Sequence, residues 1–213
     1  MIRDIVFDLG NVLLRVNRPT VYERLTPYLP RDRARLLRED PKAFERLFHS
    51  SIAELETGRI TFDRFQDQVE EILGMHMDPE EFRFAYCDAF SLDAEMVRLG
   101  KALSVRYRTW LASNTSEADY RYILESFPQV SFYRSAALSY KLGVMKPARA
   151  YFERTIEQFG IEPKSAIFID DLEANVQAAM QVGLHGIVFK GYPSLLVELE
   201  RLGVKPCNDG DGE

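Results

Sequence analysis

Four short apolar runs along the chain, at residues 5–7, 109–112, 166–169 and 186–189, give way in turn to Asp8, to Ser113 with Asn114, to Asp170 with Asp171, and to Lys190. None alternates, so each suits a strand covered on both faces, as in a parallel sheet. A weaker run at 135–138 predicts a fifth strand between the second and third. Helix-length patterns separate the runs: 117–126, 148–159 with Pro147 at the first helical position, 173–182 stopped by Gly183, and 194–202 stopped by Gly203. Strands alternating with helices predict an α/β fold, a doubly wound, Rossmann-like parallel sheet.

Residues 17–90 depart from that alternation. They read as successive amphipathic helices, about four, with no convincing strand among them. Pro30, Pro41, Gly58 and the 74–79 segment punctuate the stretch, and Thr61 with Asp63 forms an N-terminal cap for a helix running to Ile72. Phe44, Phe48, Phe62, Phe65, Phe82, Phe84, Tyr86 and Phe90 fall at helical intervals, as core positions of a small bundle do. Two domains follow: a sheet core built from residues 1–16 and 91–213, and a helical insertion at 17–90. The last residues, 208–213, are rich in Gly and acid and read as a frayed end.

Composition acts mainly by exclusion. Of 213 residues, 46% are hydrophobic and 28% charged, which is globular rather than disordered. Lys plus Arg (27) against Asp plus Glu (33) gives a net charge of −6, leaving no basic footprint for nucleic acid or an anionic membrane. Arg31, Arg33, Arg35 and Arg38 alternate with Leu36, Leu37, Glu39 and Asp40, the pattern of a solvated helix face. Arg3, Asp4 and Asp8 break up the apolar start, so it lacks the uninterrupted run of a signal peptide. Cys87 and Cys207 form no disulfide framework or zinc spacing, and His49, His76 and His185 stand apart. A cytoplasmic setting is expected.

The chemistry gathers at one edge. Ligands of an open parallel sheet collect beyond the carboxyl ends of its strands, where this sequence places Asp8, Ser113, Asn114, Asp170 and Asp171. One strand-end Asp is as readily a helix cap, but an acidic pair plus a third acid from another strand offers the hard oxygen ligands that Mg²⁺ takes. Lys146, ahead of Pro147, puts an ammonium near a helix start. The helix dipole favours anions there, so the lysine suits a bound anion better than a structural role.

Four motifs stand in order: Phe7-Asp8-Leu9-Gly10-Asn11-Val12, Leu111-Ala112-Ser113-Asn114-Thr115, Lys146-Pro147 and Ile169-Asp170-Asp171. Through them the chain resembles the haloacid dehalogenase (HAD) superfamily over almost its whole length, and the insertion resembles that family's small helical cap. The resemblance implies a phosphatase in which Asp8 is the nucleophile and forms an aspartyl-phosphate. It implies that Ser113, Asn114, Lys146, Gly10 and Asn11 hold the phosphoryl group. Mg²⁺ would be bound by Asp8, the Gly10 carbonyl, Asp170 and Asp171.

One position departs from the family pattern: Gly10 stands where most phosphatases of the superfamily carry a second Asp as general acid and base. The Asp-Leu-Gly-Asn-Val form resembles the branch that includes α-D-glucose 1-phosphate phosphatase. That likeness points to a sugar phosphate such as a hexose 1-phosphate, whose anomeric oxygen leaves with less protonation. The turn 56–60 is a candidate to reach into the site, Arg15 and Asn17 lie near the hinge, and Asn175 is placed to brace the acidic pair. A 2-haloacid dehalogenase, a receiver-like phosphate-accepting domain and an idle phosphate-binding domain are the competing readings. The expected partner is a small phosphorylated molecule, for a monomer or homodimer.

Overall fold

A computed structural model of the chain describes residues 1–40 and 42–207; Pro41 and the 208–213 tail, both singled out above, lie outside the described residues. The first apolar run forms β1 (Asp4–Phe7), buried on both faces. A short strand β2 (Leu14–Val16) follows, and the chain then leaves the sheet through α1 (Arg18–Leu25), α2 (Arg31–Glu39), α3 (Ala43–Leu47), α4 (His49–Glu56), α5 (Phe62–Leu73) and α6 (Pro79–Cys87). It returns through β3 (Phe90–Leu92) and α7 (Ala94–Ser104) to β4 (Arg108–Ser113), α8 (Glu117–Ser126), β5 (Ala136–Leu138) and α9 (Ser139–Leu142). The order closes with α10 (Arg149–Phe159), β6 (Ala166–Asp170), α11 (Glu173–Gln181), β7 (His185–Val188) and α12 (Tyr192–Arg201).

The strands β5, β4, β1, β6 and β7 lie side by side in that order as a five-stranded sheet, parallel at every pairing. Consecutive crossovers run outward from β1 in both directions, so the order reverses at β1 and opens a crevice beyond its carboxyl end. Ile5, Phe7, Leu111 and Ile169 face one apolar layer with Met96 and Leu103 of α7. Val6, Trp110 and Phe168 face the other, with Tyr151, Phe152 and Phe159 of α10. Asp4, buried at the far end of β1, is held by Arg108 at 2.7 Å and by the Trp110 indole N–H at 2.8 Å, a structural role.

The insertion has its own aromatic core. Phe44, Phe48, Phe62, Phe65, Phe82 and Tyr86 pack together, whereas Phe84 is exposed beneath the Arg24 guanidinium and Phe90 joins the sheet core. Thr61 caps α5 as expected, its Oγ accepting from Arg64 N at 3.2 Å. Among the described residues six α-helices build the insertion rather than about four, because the chain breaks at Phe48 between the short α3 and α4, where no Pro or Gly signals it. Two strands also escaped the hydrophobic pattern: β2 and β3 pair antiparallel and tie the entry and exit of the insertion together. At three residues each they are too short to show alternation. Among the described residues, no helix is long and apolar enough to cross a membrane.

Candidate active site

Asp8 follows the last residue of β1, and its N–H donates to the Ile169 carbonyl at 2.9 Å, so the neighbouring strand β6 fixes its direction. The side chain is buried, with Oδ1 accepting from Leu9 N at 2.7 Å. Asn11 then adopts φ 56°, a left-handed conformation that Asn tolerates better than most residues. In that pose its Nδ2 donates to Asp171 at 3.1 Å and its Oδ1 accepts from Val16 N at 3.2 Å. Asn11 therefore joins the loops after β1 and β6 rather than standing free.

Lys146 corrects one expectation and strengthens another. Pro147 is not the first helical residue: it lies in a turn, the Lys146–Pro147 peptide is cis, and α10 begins at Arg149. The lysine is no solvated surface cation, being 3% exposed. Its Nζ lies 2.8 Å from Asp8 Oδ1, 2.7 Å from Asp170 Oδ2 and 3.0 Å from the Ala112 carbonyl. Those three acceptors match the three donors of an ammonium. Burial works against its charge, but the two carboxylates outweigh burial and hold its pKa above the ordinary lysine value. Burial pushes the Asp8 carboxyl up to about 7, against the pull of Lys146 and with the help of Asp170.

The loop after β4 holds this cation in register. Asn114 Nδ2 donates to the Lys146 carbonyl at 2.9 Å and its Oδ1 accepts from Lys146 N at 2.8 Å. Both side-chain groups of Asn114, expected at the substrate, are thus spent on the lysine backbone. Ser113 is buried at the end of β4, its hydroxyl 3.3 Å from the Asn114 carbonyl.

Asp170 is fully buried and braced on every side. Asn175 Nδ2 reaches both of its oxygens, at 2.9 and 3.0 Å, and Leu172 N donates to Oδ1 at 2.9 Å. Asn175, which the sequence left divided between brace and surface residue, is 3% exposed and faces inward. Asp8, Asp170 and Asp171 each offer one oxygen within 4.8 Å of the others. An octahedral ion with bonds of ~2.1 Å separates its ligands by roughly 3 to 4 Å, so this all-oxygen set fits Mg²⁺ with small side-chain adjustment. Arg15 stays outside, exposed and paired with Asp93 at 3.2 Å.

A second polar group, across the seam between insertion and sheet, was not foreseen as a unit. Arg18 opens α1 with its guanidinium 5.7 Å from the centre of the Tyr86 ring. Asp119 on α8 is buried, and one of its oxygens has no hydrogen-bond partner. Glu56 ends α4 inside the turn singled out in the sequence. Burial pushes the Glu56 carboxyl up to about 7, with Arg18 and Lys146 lowering it and Asp119 raising it. Asp119 is likewise raised, by burial first. Burial also raises the Cys87 thiol, which faces Asp119, so it is no ready nucleophile. Only the 56–60 turn hinted at this cluster, because its members sit at distant points of the sequence and meet through tertiary packing.

A doubly wound sheet whose switch point carries a lysine locked between carboxylates, under a helical layer, belongs to the enzymes that handle anionic substrates at a strand edge. Comparison with known proteins narrows that class. The family description for haloacid dehalogenase-like hydrolases matches residues 2–183, and the chain belongs to that family. It is 26% identical over 193 residues to a D-ribitol-5-phosphate phosphatase of Bacteroides thetaiotaomicron, covering 86% of this chain and 89% of that one. A HAD family enzyme from the same organism, solved in complex with magnesium and inorganic phosphate, superposes with a TM-score of 0.78 at 23% identity, covering 92% of this chain and 99% of that one. A HAD-like hydrolase from Porphyromonas gingivalis gives 0.75 at 29% identity, covering 93% and 98%.

Proposed function

We propose that this protein is a Mg²⁺-dependent phosphatase that hydrolyses a small phosphorylated sugar or polyol of the cytoplasm through an aspartyl-phosphate on Asp8. The observation that carries the reading is one buried carboxylate, Asp8, bridged at 2.8 Å by a buried lysine and grouped with Asp170 and Asp171. Mg²⁺ held by Asp8, Asp170, Asp171 and the Gly10 carbonyl would supply positive charge against the phosphoryl oxygens.

The remaining roles belong to the chain. Asp8 presents the carboxylate oxygen that attacks phosphorus; the bond from phosphorus to the ester oxygen breaks, and water later attacks the same phosphorus to regenerate Asp8. A carboxylate meeting a phosphate dianion is repelled, and Lys146, already beside Asp8, offsets that repulsion. Ser113 Oγ and the main chain of Asn11 and Asn114 donate to the phosphoryl oxygens. Asn114 holds Lys146, and Asn175 and Asn11 hold the acidic pair.

Residues 17–90 act as a cap that excludes water during transfer and contacts the part of the substrate beyond the phosphate. Sugar and polyol phosphates are favoured by the relative that acts on D-ribitol 5-phosphate and by the likeness to the glucose 1-phosphate phosphatase branch. The test is a panel of hexose 1-phosphates, pentitol 5-phosphates and 4-nitrophenyl phosphate, with Mg²⁺ or EDTA, beside 2-chloropropionate. Phosphate release that EDTA stops and Asp8→Asn lowers by ~10⁴-fold or more supports the reading. Halide release instead, or no turnover, overturns it.

A further inference from the structure

Resting on that reading, we infer that Glu56 is the proton donor and acceptor of the reaction, delivered from the helical insertion to the oxygen that leaves phosphorus. The site of the sheet lacks such a group. Asp8 and Asp170 are both bridged by Lys146, and Asp171 is tied to Asn11 and belongs to the metal set. At Gly10 there is no side chain at all.

Glu56 is differently placed. It is the last residue of α4, and two residues later Gly58 takes φ 68° with its backbone so close to the sheet domain that a Cβ there would fall 2.4 Å from the Tyr140 carbonyl oxygen. The turn is therefore seated on α9, which directly follows β5, and Ser139 at the start of α9 accepts from Thr115 N of the second motif at 2.9 Å. Glu56 itself is partly buried. Among the described residues its carboxyl makes no hydrogen bond and no ion pair, so its hydrogen-bonding capacity is available to a ligand.

The groups that act on it are Arg18 from α1, Asp119 from α8 and Lys146 from the sheet edge, and none closes an ion pair with it. Lys146, the ammonium that touches Asp8, is among the charges acting on Glu56, and the seating of the Glu56 turn on α9, beside the second motif, sets it on the side of the reacting centre. Asp119 is the other buried acid acting on it, but it lies in the first turn of α8, where it accepts from the hydroxyl of the capping residue Ser116 and is faced by Cys87. A carboxyl raised to about 7 is present in both its acid and base forms near neutral pH, which is what acid–base catalysis requires.

The proton account balances. As Asp8 bonds to phosphorus and the ester P–O bond breaks, the leaving oxygen takes the proton of Glu56, giving a neutral alcohol and a carboxylate. That carboxylate then takes a proton from the water attacking the aspartyl-phosphate; the P–O bond to Asp8 breaks, inorganic phosphate leaves, and Glu56 is protonated again. A primary alkyl phosphate needs this help most, and an aryl ester with a good leaving group least.

The experiment compares full-length wild type, Glu56→Gln and Glu56→Asp with Mg²⁺ on ribitol 5-phosphate and on 4-nitrophenyl phosphate, from pH 5 to 9. Glu56→Gln is expected to lower kcat/KM about 100-fold on the alkyl ester and under about 5-fold on the aryl ester. It should also lose the alkaline decline near pH 7 and give a burst of 4-nitrophenol as dephosphorylation becomes limiting, with Glu56→Asp intermediate. Equal losses on both esters, or an unchanged pH profile, would leave Glu56 a structural partner of Arg18 and overturn the inference. Wild type inactive on both esters would instead remove the phosphatase reading on which it rests.

Discussion

At the scale of single residues, the site is organised by asparagines as much as by its acids. Asn11, Asn114 and Asn175 each use their side chain on another site residue: Asp171, the Lys146 backbone and Asp170. Removing one should therefore act through its partner. Asn175→Ala takes away the side-chain amide that reaches both oxygens of the fully buried Asp170 carboxylate. It should raise the Mg²⁺ concentration for half-maximal activity by ~10-fold or more, with a loss of about 1–3 kcal/mol in stability. A magnesium titration of kcat/KM and a melting curve check both, and an unchanged magnesium requirement would separate Asn175 from the acidic pair. The acids were legible because each stands where an apolar run stops, and Lys146 because it precedes a proline at an expected helix start. The partners of the asparagines were not, since nothing in a linear pattern distinguishes an amide facing a lysine backbone from one facing a ligand.

At the scale of elements, the strands of the sheet and the helices expected between them follow their hydrophobic runs to within a residue or two, and 117–126 coincides with α8, whereas α7, which packs on the sheet, was not foreseen. Boundaries failed where local rules were overridden. The Lys146–Pro147 turn delays α10 to Arg149, and α12 begins at Tyr192, two residues before the predicted start. The three-residue strands β2 and β3 owe their existence to each other, a long-range pairing that no window of sequence contains. The 56–60 turn is the element most exposed to test. Gly58 and Gly143 share φ 68°, so Ala at either site costs about 1 kcal/mol of backbone strain. Only at Gly58 would the new Cβ meet a carbonyl oxygen, whereas at Gly143 nothing lies within 4 Å. Gly58→Ala should lower both melting temperature and kcat/KM on sugar phosphates by clearly more than Gly143→Ala. Matching effects would mean that the turn is not seated on α9.

At the scale of the whole molecule, burial raises the pKa of several carboxyls: Asp8 and Glu56 to about 7, and Asp119 above its ordinary value. A carboxyl whose folded pKa is raised stabilises the fold fully below its unfolded value, and that stability is lost as pH rises through the folded value. For Glu56 the window runs from 4.5 to about 7. With allowance for partial exposure, the loss is on the order of 2 kcal/mol. Metal-free protein should therefore melt lower at pH 8 than at pH 5.5. Glu56→Gln should lessen the fall by about 5 °C, the scale expected for a protein of this size. A melting temperature that rises over that interval would contradict the burial of these groups. The paired acids Asp40 and Glu70, whose pKa values are lowered, act below this window and leave the sign unchanged.

At the centre of the proposed function, the helical layer closes over an acid that takes phosphorus from its ester. The most direct measurement is acid quenching of the Mg²⁺-loaded protein during turnover of 4-nitrophenyl phosphate, followed by digestion and mass spectrometry of the peptide carrying Asp8. A phosphoryl adduct on Asp8 that appears with substrate, accumulates in Glu56→Gln and is absent with EDTA is the predicted result. Sustained phosphate release with no adduct on Asp8 in either protein would contradict it.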